Sequence, residues 1–142
     1  MSGKNESIVL IPILSKQENN PDFLIFATEN ATRALAVVVI DKTEMIGPFG
    51  FASTEIKHAN TLLEQVSNFL AMRSIPTETI LEWGNVSQKI MQLAELRRCG
   101  SIAVIKQPNE YYKKIVKEIK EHTKIPLKEF EIPVPEPTTE KN

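Results

Sequence analysis

The chain of 142 residues carries 17 basic and 18 acidic side chains, for a net charge of −1, and contains one cysteine. This length suffices for one domain with a sizeable core, and the balanced charge argues against a nucleic-acid partner or an anionic membrane surface. One cysteine excludes an intrachain disulfide. We find neither a secretion signal nor an apolar run that could span a bilayer, so we expect a cytoplasmic location.

The first third of the chain predicts a strand, a short helix and a second strand. Residues 8–14 are continuously apolar (IVLIPIL), which is typical of a strand covered on both faces. Pro21 suits the first turn of a helix, and Asn20 is a candidate N-cap. Residues 34–40 (ALAVVVI) are rich in β-branched side chains and are followed by Asp41, which indicates a second buried strand.

A loop, a long helix and a charged strand are predicted next. Residues 43–52 include a Gly-Pro-Phe-Gly sequence and are expected to form a loop. Its aromatic side chains would close over a ligand, contact a partner, or only pack on their own domain. Ser53 or Thr54 is expected to cap the following helix, which has an apolar stripe at helical spacing. Thr77–Trp83 contains two glutamates and follows a proline, which places this strand at a sheet edge.

The last third of the chain predicts two helices and two strands in alternation. Gly100 is expected to cap the C-terminal end of the third helix. Ser101–Ile105 is a short apolar strand expected at the centre of the sheet, and Pro108 opens the fourth helix. Residues 127–132 (LKEFEI) form the last strand.

The element order β-α-β-α-β-α-β-α-β determines the predicted fold class. With right-handed crossovers, it gives an α/β, Rossmann-like fold: a three-layer open sheet of five parallel strands with helices on both faces. We expect this domain to span residues 1–132. Residues 133–142 (PVPEPTTEKN) have too little apolar surface to fold and are expected to form a disordered C-terminal tail.

Several segments resemble those of the universal stress protein family. Residues 8–13 (IVLIPI) are similar to the family's opening strand, and residues 36–41 (AVVVID) to its second strand. Residues 79–86 (TILEWGNV) resemble its third strand, glycine and following helix. Residues 100–105 (GSIAVI) and 125–127 (IPL) stand where the family has its fourth strand and the start of its fifth. The resemblance covers roughly residues 8–132.

Membership in this family would imply several properties that composition and spacing do not give. The resemblance implies the sheet order 3-2-1-4-5, a homodimer, and a regulatory or stress-protective role without established catalysis. We therefore do not expect the protein to be an enzyme.

The ATP-binding branch of the family carries a motif that this chain lacks. That motif, G-x2-G-x9-G-[ST], occupies 15 residues after the fourth strand. Here no glycine follows Gly100, and only 20 residues, 106–125, precede Pro126 and must also form the fourth helix. The branch also has an aspartate at the end of its first strand, where this chain has Leu14. The resemblance therefore implies a non-nucleotide or diverged member, with ATP unexpected and no cofactor predicted.

A ligand crevice in such a sheet lies at the carboxyl ends of the strands, where the strand order reverses. The residues predicted around it are Ser15, Lys16, Asp41, Lys106 and Gln107. The two lysines would hold an anion near the start of the fourth helix, or are simply solvated surface residues. Asp41 would meet a ribose hydroxyl, or only cap a turn.

No catalytic residue and no metal site is predicted. Cys99 lies at a helix C-terminus, which disfavours a thiolate. His58 and His122 are distant in sequence and make no metal-ligand spacing with it. Glu78 and Glu82 share one side of a strand, but they fit a solubilising sheet edge better than paired acid–base chemistry.

The last strand is the predicted dimer edge. It comprises Leu127, Lys128, Glu129, Phe130, Glu131 and Ile132. Antiparallel pairing of two copies would set Lys128 opposite Glu131 or Glu129; alternatively, these charges only protect an exposed edge. The alternative function is a nucleotide- or cofactor-binding α/β enzyme domain with a diverged ligand site. A third possibility is a protein partner that reads the loop at 43–52.

Overall fold

The computed structural model describes residues 6–41 and 55–132. The predicted loop at 43–52, the candidate caps Ser53 and Thr54, and the predicted tail at 133–142 lie outside the described residues.

Strands and helices alternate through the described residues. They are β1 (Ile8–Pro12), α1 (Pro21–Ala27), β2 (Arg33–Ile40), α2 (Ile56–Met72), β3 (Thr77–Trp83), α3 (Val86–Leu96), β4 (Ser101–Ile105), α4 (Glu110–His122) and β5 (Leu127–Phe130).

All five strands form one parallel sheet in the order β3-β2-β1-β4-β5. β1 lies at the centre, where Leu10 is paired with Leu35 of β2 and with Ile102 of β4. β3 and β5 are the two edges. The predicted fold class and the sheet order implied by the family resemblance are confirmed, as are the edge position of β3 and the internal position of β4.

Two apolar cores sandwich the sheet, because successive side chains of a strand point to opposite faces. Val9, Ile11 and Ile13 pack with α1 and α2, whereas Leu10 and Leu14 pack with α3 and α4. The same alternation along β2 buries every residue from position 34 to position 40. This two-sided burial explains why the central strands read as continuous apolar runs.

Asparagine caps three of the four helices in the described part of the chain. The side chains of Asn20, Asn85 and Asn109 each accept a hydrogen bond from the backbone N–H three residues later, at 3.0, 3.0 and 2.7 Å. Asn20 is thus confirmed as the cap of α1, with Pro21 at its first position. α4 begins two residues after Pro108 because Asn109 provides its cap. At the start of α2 the N-cap position is Glu55, which makes no side-chain capping bond.

The prediction that Gly100 caps α3 is wrong. Arg98 adopts the left-handed conformation, with φ 54°, and the Cys99 N–H closes the turn on the Ala94 carbonyl at 2.8 Å. This is the Schellman arrangement, formed here without glycine. Gly100 instead donates its N–H to the carbonyl of Ile8 at 2.8 Å, which leads the chain into β4.

Two predicted strands are shorter than expected. β1 ends at Pro12 rather than at residue 14, and β5 ends at Phe130, so that Glu131 and Ile132 lie beyond the last strand. β5 ends there because Phe130 pairs with Ile105, which is the last residue of its neighbour β4. No helix among the described residues is both long and apolar enough to cross a membrane.

Candidate functional site

The candidate crevice lies at the carboxyl ends of β1 and β4, where neighbouring connections diverge to opposite faces of the sheet. On the β4 side the chain turns into α4 over only four residues, 106–109. The backbone N–H of Lys106 donates to the Phe130 carbonyl at 2.7 Å, and Pro108 has no N–H. The Asn109 side chain occupies the N–H of Tyr112. Around this turn, the N–H groups of Lys106 and Tyr112 are therefore used within the protein, and position 108 offers none.

Lys106 and Gln107, two of the residues expected around the crevice, line one pocket. The pocket has a volume of about 510 Å³, and Gln17 from the β1–α1 loop also lines it. Lys113 of α4 and Ile132 also line it. Sequence reasoning did not select Gln17 or Lys113, because neither lies in a recognisable motif.

Ser15 and Lys16 are not among the residues that line this pocket. The Lys16 ammonium contacts the Glu55 carboxylate at 2.8 Å, which ties the β1–α1 loop to the start of α2. Lys16 has a φ of 68°, in the left-handed region that non-glycine residues rarely adopt. Ser15 is held by a third residue of the loop, Glu18.

Glu18 is the residue that sequence reasoning missed. Its side chain is fully buried, and its Oε2 accepts hydrogen bonds from the Leu14 N–H at 3.1 Å, the Ser15 N–H at 2.9 Å and the Ser15 hydroxyl at 2.9 Å. Burial raises the pKa of Glu18 above its usual value, and the hydrogen bonds oppose that rise. The Ser-x-x-Glu spacing of Ser15 and Glu18 was the available signal, since it is also that of a capping box.

Asp41 does not join the pocket of Lys106 and Gln107. It is 5% exposed and lines a small separate cavity, together with Asn85 and Lys114, on the face covered by α3 and α4. The structure therefore divides the five predicted crevice residues into three groups: Ser15 and Lys16, Lys106 and Gln107, and Asp41.

A groove of about 410 Å³ separates α3 from α4. Ser87 donates a short hydrogen bond to the carboxylate of Glu118, and Nδ1 of His122 lies 2.9 Å from the Glu118 carbonyl oxygen. Because His122 does not contact Ser87, these side chains do not form a nucleophile–base pair. Within residues 6–41 and 55–132, no group of three histidine, cysteine or acidic residues could hold a metal ion.

Burial or ion pairing accounts for three further residues considered for chemistry, Cys99, Glu78 and Glu82. Cys99 is buried, which raises its pKa to about 11 despite the opposing effect of Arg97, so the thiol is a poor nucleophile near neutral pH. Glu78 pairs with Arg97, and Glu82 lies 3.8 Å from the Lys89 ammonium. Since each glutamate is engaged with a different residue of the α3 region, this arrangement agrees with the edge-strand interpretation.

The charged residues of β5 are engaged on opposite faces of the sheet. Lys128 donates to the Phe26 and Ala27 carbonyls at the end of α1, at 3.3 and 3.4 Å, and its ammonium lies 5.1 Å from the centre of the Phe26 ring. Glu129 accepts a 2.5 Å hydrogen bond from the Tyr112 hydroxyl on the other face. If two copies of β5 paired, Lys128 of one copy and Glu129 of the other would therefore lie on opposite faces of the sheet.

Comparisons with known proteins support the fold. No protein-family model matches the sequence, and no curated protein matches it. A universal stress protein from Archaeoglobus fulgidus has 12% identity, a TM-score of 0.69 and coverage of 87% of this chain and 92% of its own. A Burkholderia pseudomallei protein of that family has 17% identity, a TM-score of 0.62 and coverage of 94% and 100%.

A third solved structure is the Archaeoglobus fulgidus universal stress protein in complex with dAMP. It has 13% identity, a TM-score of 0.65 and coverage of 87% of this chain and 96% of its own. At these identities the similarity establishes the fold alone. The chain thus has the universal stress protein fold that the sequence resemblance predicted.

Proposed function

We propose that the protein is a regulatory or stress-response binding module of universal stress protein type, that it acts as a cytoplasmic homodimer, and that it does not bind ATP. The observation that carries this proposal is the short β4–α4 turn. Binding a phosphate chain at this position requires several backbone N–H groups that converge on the oxygens. Here the N–H of Lys106 is used in the sheet, and Pro108 has no N–H. The N–H of Tyr112 is bound by the side chain of Asn109.

Two carboxylates add to the argument against a phosphate ligand. Glu110 lies in the first turn of α4, where it competes with an anion for the positive end of the helix dipole. Glu18 occupies the backbone donors at the end of β1. The backbone donors on the β1 side of the crevice are thus already occupied, and an acidic residue lies at the helix start on the other side.

One finding favours the second candidate, a nucleotide-binding domain with a diverged site. A protein of the same fold has been solved with dAMP. The pocket beside Lys106 and Lys113 provides two ammonium groups, and Gln17 and Gln107 provide amide donors and acceptors. Such a pocket could bind a monophosphate without a glycine-rich loop.

Calorimetric titration with ATP, dAMP and FMN separates the two candidates. We expect no saturable heat for any of the three up to millimolar concentration. The control is a Lys106→Ala/Lys113→Ala variant, which removes both pocket cations. Tight stoichiometric binding by the unmodified protein that this variant loses would establish the second candidate and reject the first.

The proposed dimer forms through the open edge of β5. Ile102 and Lys106 donate their N–H groups to Pro126 and Phe130, so the even-numbered positions direct their backbone groups towards β4. Because backbone groups alternate in direction along a strand, the N–H and carbonyl groups of Leu127 and Glu129 point away from β4. Among the described strands, β5 pairs with β4 alone. A second copy could continue the sheet at this edge.

The side-chain directions in β5 argue against the dimer register expected from the sequence. A two-fold axis that makes two edge strands antiparallel stands perpendicular to the sheet, so residues that face each other project to the same side. Lys128 projects towards α1 and Glu129 towards α4. Lys128 therefore does not fit opposite Glu129. We propose instead a register centred on Lys128, which sets Leu127 opposite Glu129 of the partner subunit. The two copies of Lys128 then face each other across the axis, where each ammonium is held by the Phe26 and Ala27 carbonyls of its own subunit.

Light scattering on the full chain tests the oligomeric state. We expect a molar mass of twice 16.0 kDa at micromolar concentration. A monomer at that concentration would remove the dimer from the proposal and leave the argument about ATP standing.

A further inference from the structure

The loop after β1 is organised around the carboxyl group of Glu18. Three donors from two adjacent residues, the N–H of Leu14 and the N–H and hydroxyl of Ser15, converge on Oε2 of Glu18 at 2.9–3.1 Å. The Ser15 N–H also lies 3.2 Å from Oε1. Consecutive backbone donors that converge in this way are the arrangement by which proteins bind small anions.

Within residues 6–41 and 55–132, the hydrogen-bond donors to the Glu18 carboxylate are neutral groups of its own loop, and the ammonium of Lys16 contacts Glu55. A fully buried carboxylate is costly unless its surroundings are already arranged to receive it. Glu55 lies 39 positions further along the chain than Lys16. The contact between these two side chains fixes the loop independently of Glu18.

We propose that Leu14 and Ser15 form an anion cradle whose resident ligand is the chain's own Glu18 carboxylate, so that the crevice is closed to outside anions by an autoinhibitory contact. The cradle lies at the carboxyl end of β1, and Gln17 of the same loop lines the pocket of Lys106 and Gln107. The inference rests on the proposed crevice, but not on the dimer or on the absence of ATP binding. A small carboxylate enters the cradle only when the Glu18 side chain leaves it.

Glu18→Ala tests this directly, because the deleted atoms have the size and charge of acetate. In this variant we expect acetate to raise the melting temperature by several degrees, in a saturable manner that chloride at equal ionic strength does not reproduce. The unmodified protein and a Glu18→Gln variant, whose cradle stays filled, should show no such rise.

The amide resonances of Leu14 and Ser15 locate the effect. In Glu18→Ala both should shift with acetate concentration along the same saturation curve as the melting temperature. Adding Ser15→Ala should weaken acetate binding by about tenfold, because one of the three donors is lost.

Each remaining outcome is decisive. If Glu18→Ala does not fold without acetate, recovery of its circular dichroism on acetate addition supports the cradle, and failure to recover overturns it. A folded Glu18→Ala variant without a saturable response to acetate also overturns it, since the donors would then be organised only by the covalent side chain. Neither result bears on the nucleotide titration.

Discussion

Tyr112 of α4 donates its phenol hydrogen to the carboxylate of Glu129 in β5, with the two oxygens 2.5 Å apart. Burial raises the pKa of Tyr112 well above its usual value, and the hydrogen bond and charge of Glu129 add to the rise. The phenol therefore remains a donor throughout the physiological range. This bond and the 3.7 Å contact between Lys120 and Glu129 connect the last helix to the edge strand.

Tyr112→Phe should lower the free energy of unfolding by about 1 kcal/mol, since it removes the donor while it keeps the buried ring. Urea denaturation measures this loss. In a Glu129→Gln background the same substitution should cost less, because the acceptor is then uncharged. Equal losses in both backgrounds would contradict the charged hydrogen bond.

Glycine at the left-handed residues that follow α2 and α3 should stabilise the protein. Ser74 and Arg98 have φ values of 65° and 54°. Replacing either by glycine relieves the Cβ strain at a cost in backbone entropy, for an expected gain of about 0.5 kcal/mol. The matched control is Arg73→Gly, where φ is −101° and only the entropic cost applies. If Arg73→Gly is as favourable as Ser74→Gly, the strain argument fails.

The stability of the protein should depend on pH through Glu18. Burial raises the pKa of this carboxyl from about 4.5, so between that value and the raised one the native state binds more protons than the unfolded state. The contribution of Glu18 is therefore fully present below about pH 4.5 and is lost as the pH rises through the native pKa.

Urea denaturation of the unmodified protein and of Glu18→Gln, from pH 4.5 upward, isolates this contribution. The difference in unfolding free energy, unmodified minus variant, should fall as the pH rises. A difference that is flat or that rises over this range would show that Glu18 titrates normally.

Cys99 should be protected from alkylation in the native state. With its pKa at about 11, the thiolate fraction at pH 8 lies about two orders of magnitude below that of an exposed cysteine. Iodoacetamide should therefore react slowly with the folded protein and rapidly in guanidinium chloride. The native rate should rise with pH until about 11. A native rate that levels off near pH 8.5 would contradict the burial of the thiol.

Two substitutions of Leu127 test the proposed dimer register. Leu127→Glu would set two carboxylates opposite each other and dissociate the dimer, whereas Leu127→Lys would face Glu129 of the partner subunit with an opposite charge. Both variants lose the same apolar contacts, so each controls for the other. Sedimentation at several salt concentrations should show a dimer only for Leu127→Lys. Equal dimerisation of the two variants would reject the register.

The fold was predictable because its signals are local. A central strand buried on both faces must be apolar throughout, and an asparagine before a helix caps it, as Asn20 does in the structure. The extent of β5 was not predictable in this way. It depends on where β4 ends, and residues 131 and 132 continue the apolar alternation without a partner strand.

For the candidate site, the sequence indicates the residues that topology alone places there, but not those that the path of a loop brings in. Lys106 and Gln107 follow a strand directly, so the topology alone brings them to the crevice. Glu18 lies in a polar sequence, SKQENN, that is typical of a solvated loop. Only the three-dimensional path of the loop folds this carboxylate back over Leu14 and Ser15 and buries it.

The described chain enters the sheet at the amino ends of the strands and leaves it at their carboxyl ends. β1 starts near Glu6 at the amino ends of the strands, whereas the chain leaves β5 at Ile132, which lines the pocket at their carboxyl ends. A fluorophore or fusion partner attached ahead of Glu6 would leave the pocket open for binding assays. A fluorophore attached at position 132 itself would lie at the pocket, where it would report on whatever enters.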